Sequence, residues 1–178
     1  MDIDDLSRER LLQLLSDFAK RWLAHDGLWF QTVERHDGME KAIQYDGEAW
    51  KTFTELEASR IRDFLRLPDG GGLHALEQAL KFRLYAFINE QEVEWLDDRT
   101  MVFRMKRCRV QEARQRKGLP DFPCKSVGII EYTGFARAID PRIQTTCLAC
   151  PPDPHPKEYF CAWMFTILGT STQREAEQ

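Results

Sequence analysis

The apolar positions of this chain change period once, near residue 90. Before that point they recur every three or four residues, as on one face of a helix. Leu11, Leu14, Leu15, Phe18, Trp22 and Leu23 form the first stripe. Asp26-Gly27 is expected to interrupt it, with Asp26 as the N-cap of a second short helix carrying Leu28, Trp29, Phe30 and Val33. Asp37-Gly38 breaks the pattern again, and Met39, Ile43, Trp50, Phe53, Leu56 and Leu65 mark a long helix ending near 66. The glycine-rich run Pro68-Asp69-Gly70-Gly71-Gly72 is a loop. Leu73, Leu76, Leu80, Leu84 and Phe87 then predict a helix over about 73–89.

Beyond that the period is two. Val93 and Trp95 alternate with glutamates, and Met101, Phe103 and Met105 alternate with Val102, Arg104 and Lys106, which predicts an antiparallel hairpin. A short basic helix follows from Cys108 to about Lys117, with Gly118 just past its end. Cys124 opens another helix that closes near Asp140-Pro141, and two strands at about 142–149 and 158–168 flank a proline-rich loop. The fold class expected is α+β: a helical N-terminal half packed on a four-stranded antiparallel sheet, the C-terminal half running β-β-α-α-β-β. One domain is expected over 1–178, with a helical part (1–89), a cysteine-containing sheet part (90–169) and a frayed polar tail (170–178).

Composition alters this picture little. Hydrophobic content of 43% beside 30% charge is ordinary for a water-soluble domain, and a net charge of −4 argues against general nucleic-acid binding. The acidic start, Met1-Asp2-Ile3-Asp4-Asp5, lacks the apolar segment of a secretory signal, and no apolar run has the length of a membrane helix. A cytoplasmic setting with no membrane partner is the expectation. In such a reducing compartment, five cysteines point to metal or thiol chemistry rather than disulfides.

All five cysteines lie after residue 107, and the only tight pair is Cys147-Leu148-Ala149-Cys150. A C-x2-C turn can present two thiolates to one metal ion, and Cys124 and Cys161 can complete a four-sulfur zinc site. Cys124 sits at a helix start, where the dipole favours a thiolate. The hairpin around the proline loop would bring Cys147, Cys150 and Cys161 together. A closed four-ligand zinc is structural, because catalytic zinc keeps a position open. An iron–sulfur cluster is the minority version of this reading, and His155 can replace one sulfur. The same four side chains also fit a plainer role as small buried hydrophobes.

Other residues carry two readings each. Eight basic residues lie between Arg104 and Lys125, opposed only by Glu112 and Asp121. They form either a site for an anionic ligand, with Arg109 and Arg114 as carboxylate clamps, or a solvated face paired with the acidic stretch Glu90, Glu92, Glu94, Asp97 and Asp98. Cys108, between Arg107 and Arg109 at a helix start, is the candidate reactive thiol, or else a buried cysteine. Glu131, seven residues after Cys124, is a candidate general base or amine ligand, or else the partner of an arginine from the basic helix. Trp29, Trp50, Tyr85 and Trp95 either line a pocket or fill the core.

The segment carrying Cys124, Gly128, Gly134, Cys147 and Cys161 resembles the C-terminal core of the 4-vinyl-reductase-type domain. The resemblance implies a structural zinc on these cysteines, a small molecule held between helices and sheet, and a homodimer. Where that family can place a ligating carboxylate three residues before the second cysteine, this chain has Gln144, and Cys150 is expected to take the role. The segments His25 to Phe30, Cys108 to Gln111, Gly118 to Cys124 and Cys147 to Cys161 further resemble an uncharacterised prokaryotic cytosolic family. That family is distantly similar to 2-aminothiazoline-4-carboxylate hydrolase-like proteins, which imports no activity by itself.

These readings converge on a small-molecule-binding protein with zinc on Cys124, Cys147, Cys150 and Cys161 and a pocket near Trp29, Tyr85, Arg109, Arg114 and Glu131. A hydrolase of a small cyclic amidine or carboxylate, using Glu131 or Cys108, is the alternative. A metal-stapled module that binds a protein through its basic helix is the third.

Overall fold

Ser7 opens the first helix, its hydroxyl accepting a hydrogen bond from Arg10 N–H at 3.3 Å, and α1 then runs unbroken over Arg8–Asp37. The structure, a computed structural model, describes residues 2–167, so the tail expected at 170–178 lies outside the described residues. The break expected at Asp26-Gly27 is absent. A helical glycine costs only about 1 kcal/mol relative to alanine. The packing of Trp22 beside Phe53 and of Phe30 beside Phe122, ring centroids 6.4 and 4.7 Å apart, outweighs that cost. Asp26 is therefore no N-cap but an interior helix residue.

Helix α2 (Met39–Leu65) begins where Gly38 turns the chain at φ +86°, and ends at Arg66 in the left-handed region. Helix α3 (Gly72–Leu80) stops well short of residue 89. Its N-terminus is held from outside, by Asp140, whose carboxylate accepts from Gly72 N–H at 2.9 Å. Past Leu80 the chain turns Arg83 inward and makes one 3-10 turn, Leu84–Phe87. Glu57 of α2 fixes that exit, accepting from Arg83 Nε at 2.8 Å and from Leu84 N–H at 3.2 Å. A buried ion pair overrode the apolar period here.

Strands β1 (Glu90–Asp97) and β2 (Thr100–Arg107) form the expected hairpin, and β3 (Ile143–Ala149) and β4 (Cys161–Ile167) the second one. The antiparallel sheet runs β1-β2-β4-β3, joined at its centre by β2 and β4, with Phe103 opposite Trp163. Between the hairpins lie α4 (Arg109–Arg116), closed by Gly118 at φ +66°, and α5 (Lys125–Ile139). The architecture is α+β, with helices over one face of a four-stranded antiparallel sheet.

Helix α5 is the hinge of the packing. Its lower side meets the sheet, where Tyr132 stacks on Trp163 at 4.7 Å, and its upper side meets α2. Glycines permit both approaches. A Cβ on Gly128 would lie 2.8 Å from the Trp163 ring, and one on Gly134 would lie 2.6 Å from Thr54 Oγ1. The main core joins α2, α3, α5 and the sheet around Leu76, Phe103, Phe135 and Phe165. A second, smaller cluster of Trp50, Phe122 and Val127 attaches α1. Among the described residues no helix is long and apolar enough to cross a membrane.

Candidate functional site

Helix α1 does not seat closely on the sheet, and a cavity of about 430 Å³ remains beneath it. Its walls come from α1, α2, α4, α5 and the turn before β1, and its floor from β2 and β4. The exposed lining residues Lys20, Arg116 and Lys117 mark a mouth between α1 and α4. Aromatic rings build the interior. Tyr85 stacks on Trp50 at 5.8 Å and meets the edge of Trp22 at 5.4 Å, while Tyr132 and Trp163 close the far side.

Three carboxylates reach this apolar space. Asp26 follows Trp22 and precedes Phe30 by one helical turn, so an uninterrupted α1 carries it inward. Asp46 takes the same position on α2, one turn before Trp50. Burial pushes the Asp46 carboxyl up to about 7, reinforced by the negative charges of Asp26 and Glu131 and opposed by the Trp50 side chain. Asp26 is raised too, again by burial, with His25 opposing.

Glu131 is 8% exposed and its carboxyl is raised by burial, against the pull of Arg83. Arg83 comes from the turn after α3 rather than from the basic helix, so the expected partner is replaced by another arginine. Its Nη1 lies 2.7 Å from Glu131 Oε1, but the angle is poor for a hydrogen bond, leaving Glu131 Oε1 and Arg83 Nη2 without a partner. One guanidinium thus serves two buried carboxylates, Glu57 and Glu131.

Cysteines form one end of the cavity. Cys108, Cys124, Cys150 and Cys161 all line it. Lys125 N–H donates to Pro151 O at 2.9 Å, and its ammonium meets Asp153, which draws the start of α5 against the proline loop. Cys124 Sγ and Cys150 Sγ consequently stand 3.6 Å apart. Cys161 Sγ accepts from the Trp163 indole at 3.4 Å. Cys147 lies opposite Trp163 in the β3–β4 ladder, on the sheet face that Cys161 shares, but outside the cavity lining. Hydrogen bonding to Cys124 and Cys161, then burial, keeps the Cys150 thiol strongly protonated. Among the described residues no group of three or more His, Cys, Asp or Glu side chains is arranged as it stands to hold a metal ion. The Cys108 thiol, expected to be acidified by its arginine neighbours, is instead pushed up to about 12 by burial.

The arginines are largely committed elsewhere. Arg114 grips both carboxylate oxygens of Glu34 at 2.9 and 3.0 Å and donates to Pro120 O at 2.8 Å, so it braces the wall rather than clamping a ligand. Arg104 pairs with Glu94 at 2.6 Å, and Arg107 with Glu112 at 2.9 Å. Arg109 lines the cavity, held at its backbone by Asn89. Gln111 pins the wall, exchanging two hydrogen bonds with the Phe122 backbone at 2.8 and 2.9 Å.

Of the residues singled out above, the cavity gathers Tyr85, Cys108, Arg109, Arg114, Cys124, Glu131, Cys150 and Cys161. It leaves out Trp29, which is 65% exposed because the continuous α1 turns it to the outer face. His155 is held by the proline loop, beside Phe160. Asp46, Glu57 and Arg83 escaped the sequence reading. A signal was present for Asp46: it replaces an apolar residue in the stripe Ala42, Ile43, Trp50.

The model of one protein family, described as a family of unknown function (DUF6125), matches residues 4–167. No curated protein and no solved structure matches the chain.

Proposed function

We propose, for a chain that belongs to the DUF6125 family of unknown function, that the protein binds a small molecule in the cavity between α1 and the sheet. The observation that carries this reading is the cavity itself. It is largely apolar and aromatic, and buried or half-buried polar groups converge on it from five elements. Such an arrangement is costly to fold, and a ligand that satisfies the polar groups offsets the cost. Membrane and nucleic-acid partners form no part of this reading.

Zinc at the cysteine end belongs to the same proposal. Thiolates around a zinc at about 2.3 Å stand roughly 3.8 Å from one another, and the Cys124–Cys150 separation of 3.6 Å is close to that edge. Cys161 and Cys147 would supply the other two sulfurs after turning their side chains toward Cys150. The ion would hold the four as thiolates and tie β3, β4 and α5 together.

A hydrolytic reading draws support from one group, Asp46. A carboxyl poised at about 7 inside an apolar cavity is suited to general-base work, and Glu131 stands in the same space. The substrate class in that case is the small cyclic amidine or carboxylate of the resemblance.

The test is a thermal-shift screen of small molecules against the parent chain and against Ala113→Trp, which places an indole in the cavity wall. Compounds that raise the melting temperature of the parent and not of the variant are the expected result. A collection that shifts both alike, or neither, removes the cavity from consideration.

A further inference from the structure

We infer that the cavity takes a small organic cation, whose ammonium group sits among Asp26, Asp46 and Glu131. This rests on the cavity being a ligand site and adds the chemical class of what it holds. Of the basic lining residues, Lys20, Arg116 and Lys117 stand exposed at the mouth and Arg114 is paired with Glu34, so the charges deeper in the cavity are mostly acidic. Asp26 and Asp46 enter from α1 and α2, and among the described residues neither forms an ion pair with a lysine or arginine. Glu131, nine-tenths buried, lines the same space with Oε1 lacking a hydrogen-bond donor. Its one cation, Arg83, is shared with Glu57. Glu57 and Glu131 thus share one guanidinium, while Asp26 and Asp46 line the cavity without one.

The walls have the matching character. Trp50, Tyr85, Tyr132 and Trp163 present ring systems to the space, and the electron-rich face of an aromatic ring attracts a cation. The protein already uses this device in the wall, where the Arg83 guanidinium lies 4.5 Å from the Phe135 ring centre, 5.6 Å from Tyr132 and 5.7 Å from Trp50. An anionic ligand meets the opposite situation: Lys20, Arg116 and Lys117 at the mouth and Arg109 at the wall would draw it in, and the acids within would then repel it. Like charges buried together are unfavourable, and a ligand cation relieves them where water cannot.

Three probes of one shape decide the matter: benzylammonium, benzyl alcohol and benzoate, titrated by calorimetry into the full chain, the Ala113→Trp variant and the Asp26→Asn/Asp46→Asn double variant. The expected result is that benzylammonium binds at least tenfold more tightly than either isostere. Binding should be lost in Ala113→Trp and weakened tenfold or more in the double variant. Benzoate or benzyl alcohol binding as well as benzylammonium, with sensitivity to Ala113→Trp, overturns the cation and leaves the cavity reading standing. Benzylammonium binding that ignores both variants places it elsewhere on the surface and overturns the inference, as does an absence of binding by all three.

Discussion

Asp46 shows what a single buried charge does to this fold. Its carboxyl is raised from 3.8 to about 7, so the folded chain holds a proton there that the unfolded chain releases between those values. The contribution of Asp46 to stability is then full below about 4 and is lost as pH rises through 7, because above it the folded protein must keep a buried carboxylate near Asp26 and Glu131. Asp46→Asn removes that burden. The melting temperature of the variant should match the parent at pH 4 and exceed it by several degrees at pH 8, read by fluorimetry across the range. An equal difference at both ends would show that the carboxylate does not feel its neighbours. Tolerating such a group in the wild-type chain is the usual mark of a residue kept for function. None of this is legible from the residue's identity. A lone aspartate in an apolar stripe signals burial only once the facing residues are known.

At the scale of elements, α5 owes its position to two glycines. Gly128 lies against Trp163, which is 1% exposed and stacked on Tyr132, so neither ring can withdraw. Alanine at 128 gains about 1 kcal/mol of helix propensity but overpacks this contact, at a cost of roughly 1–3 kcal/mol. The overpacking should win. Gly128→Ala is expected to lower the melting temperature, and Trp163→Phe in the same background should recover part of the loss, giving a coupling visible in a double-mutant cycle. Additive losses would mean that the helix and sheet adjust independently. The same scale held the main surprise of the fold. Asp26-Gly27 reads locally as a stop and a start, yet aromatic packing on both sides carries α1 through it, and this continuity turns Asp26 inward and Trp29 outward.

Over the whole molecule, the cysteine end joins segments far apart in the chain: the start of α5, the proline loop and β4. A zinc ion there would contribute folding free energy to all three at once. Elemental analysis of untagged protein is expected to find about one zinc per chain, and stripping it with a chelator, or replacing Cys150 by serine, should lower the melting temperature in a single transition. Metal-free protein of unchanged stability would return the cysteines to core packing. Leu11, Leu12, Leu15 and Phe18 remain exposed along the outer part of α1.

Period and punctuation account for what was legible along the chain. Hydrophobic spacing, the turns at Gly38, Gly72 and Gly118, and the alternation on either side of Asp97-Asp98 are local properties, set by backbone geometry and the immediate neighbours. They are enough for the α+β class, for both hairpins and for α2, α4 and α5. Three results needed the chain folded. Helix α3 ends early because Glu57, 26 residues before Arg83, captures it. The acids of the cavity acquire their character from burial first, and at Asp46 and Glu131 also from neighbouring acids across α1, α2 and α5. The sulfurs of Cys124 and Cys150 meet only because Lys125 binds the proline loop. Each depends on desolvation and on charges distant in sequence, and such energies exist only once the low-dielectric interior has formed around them.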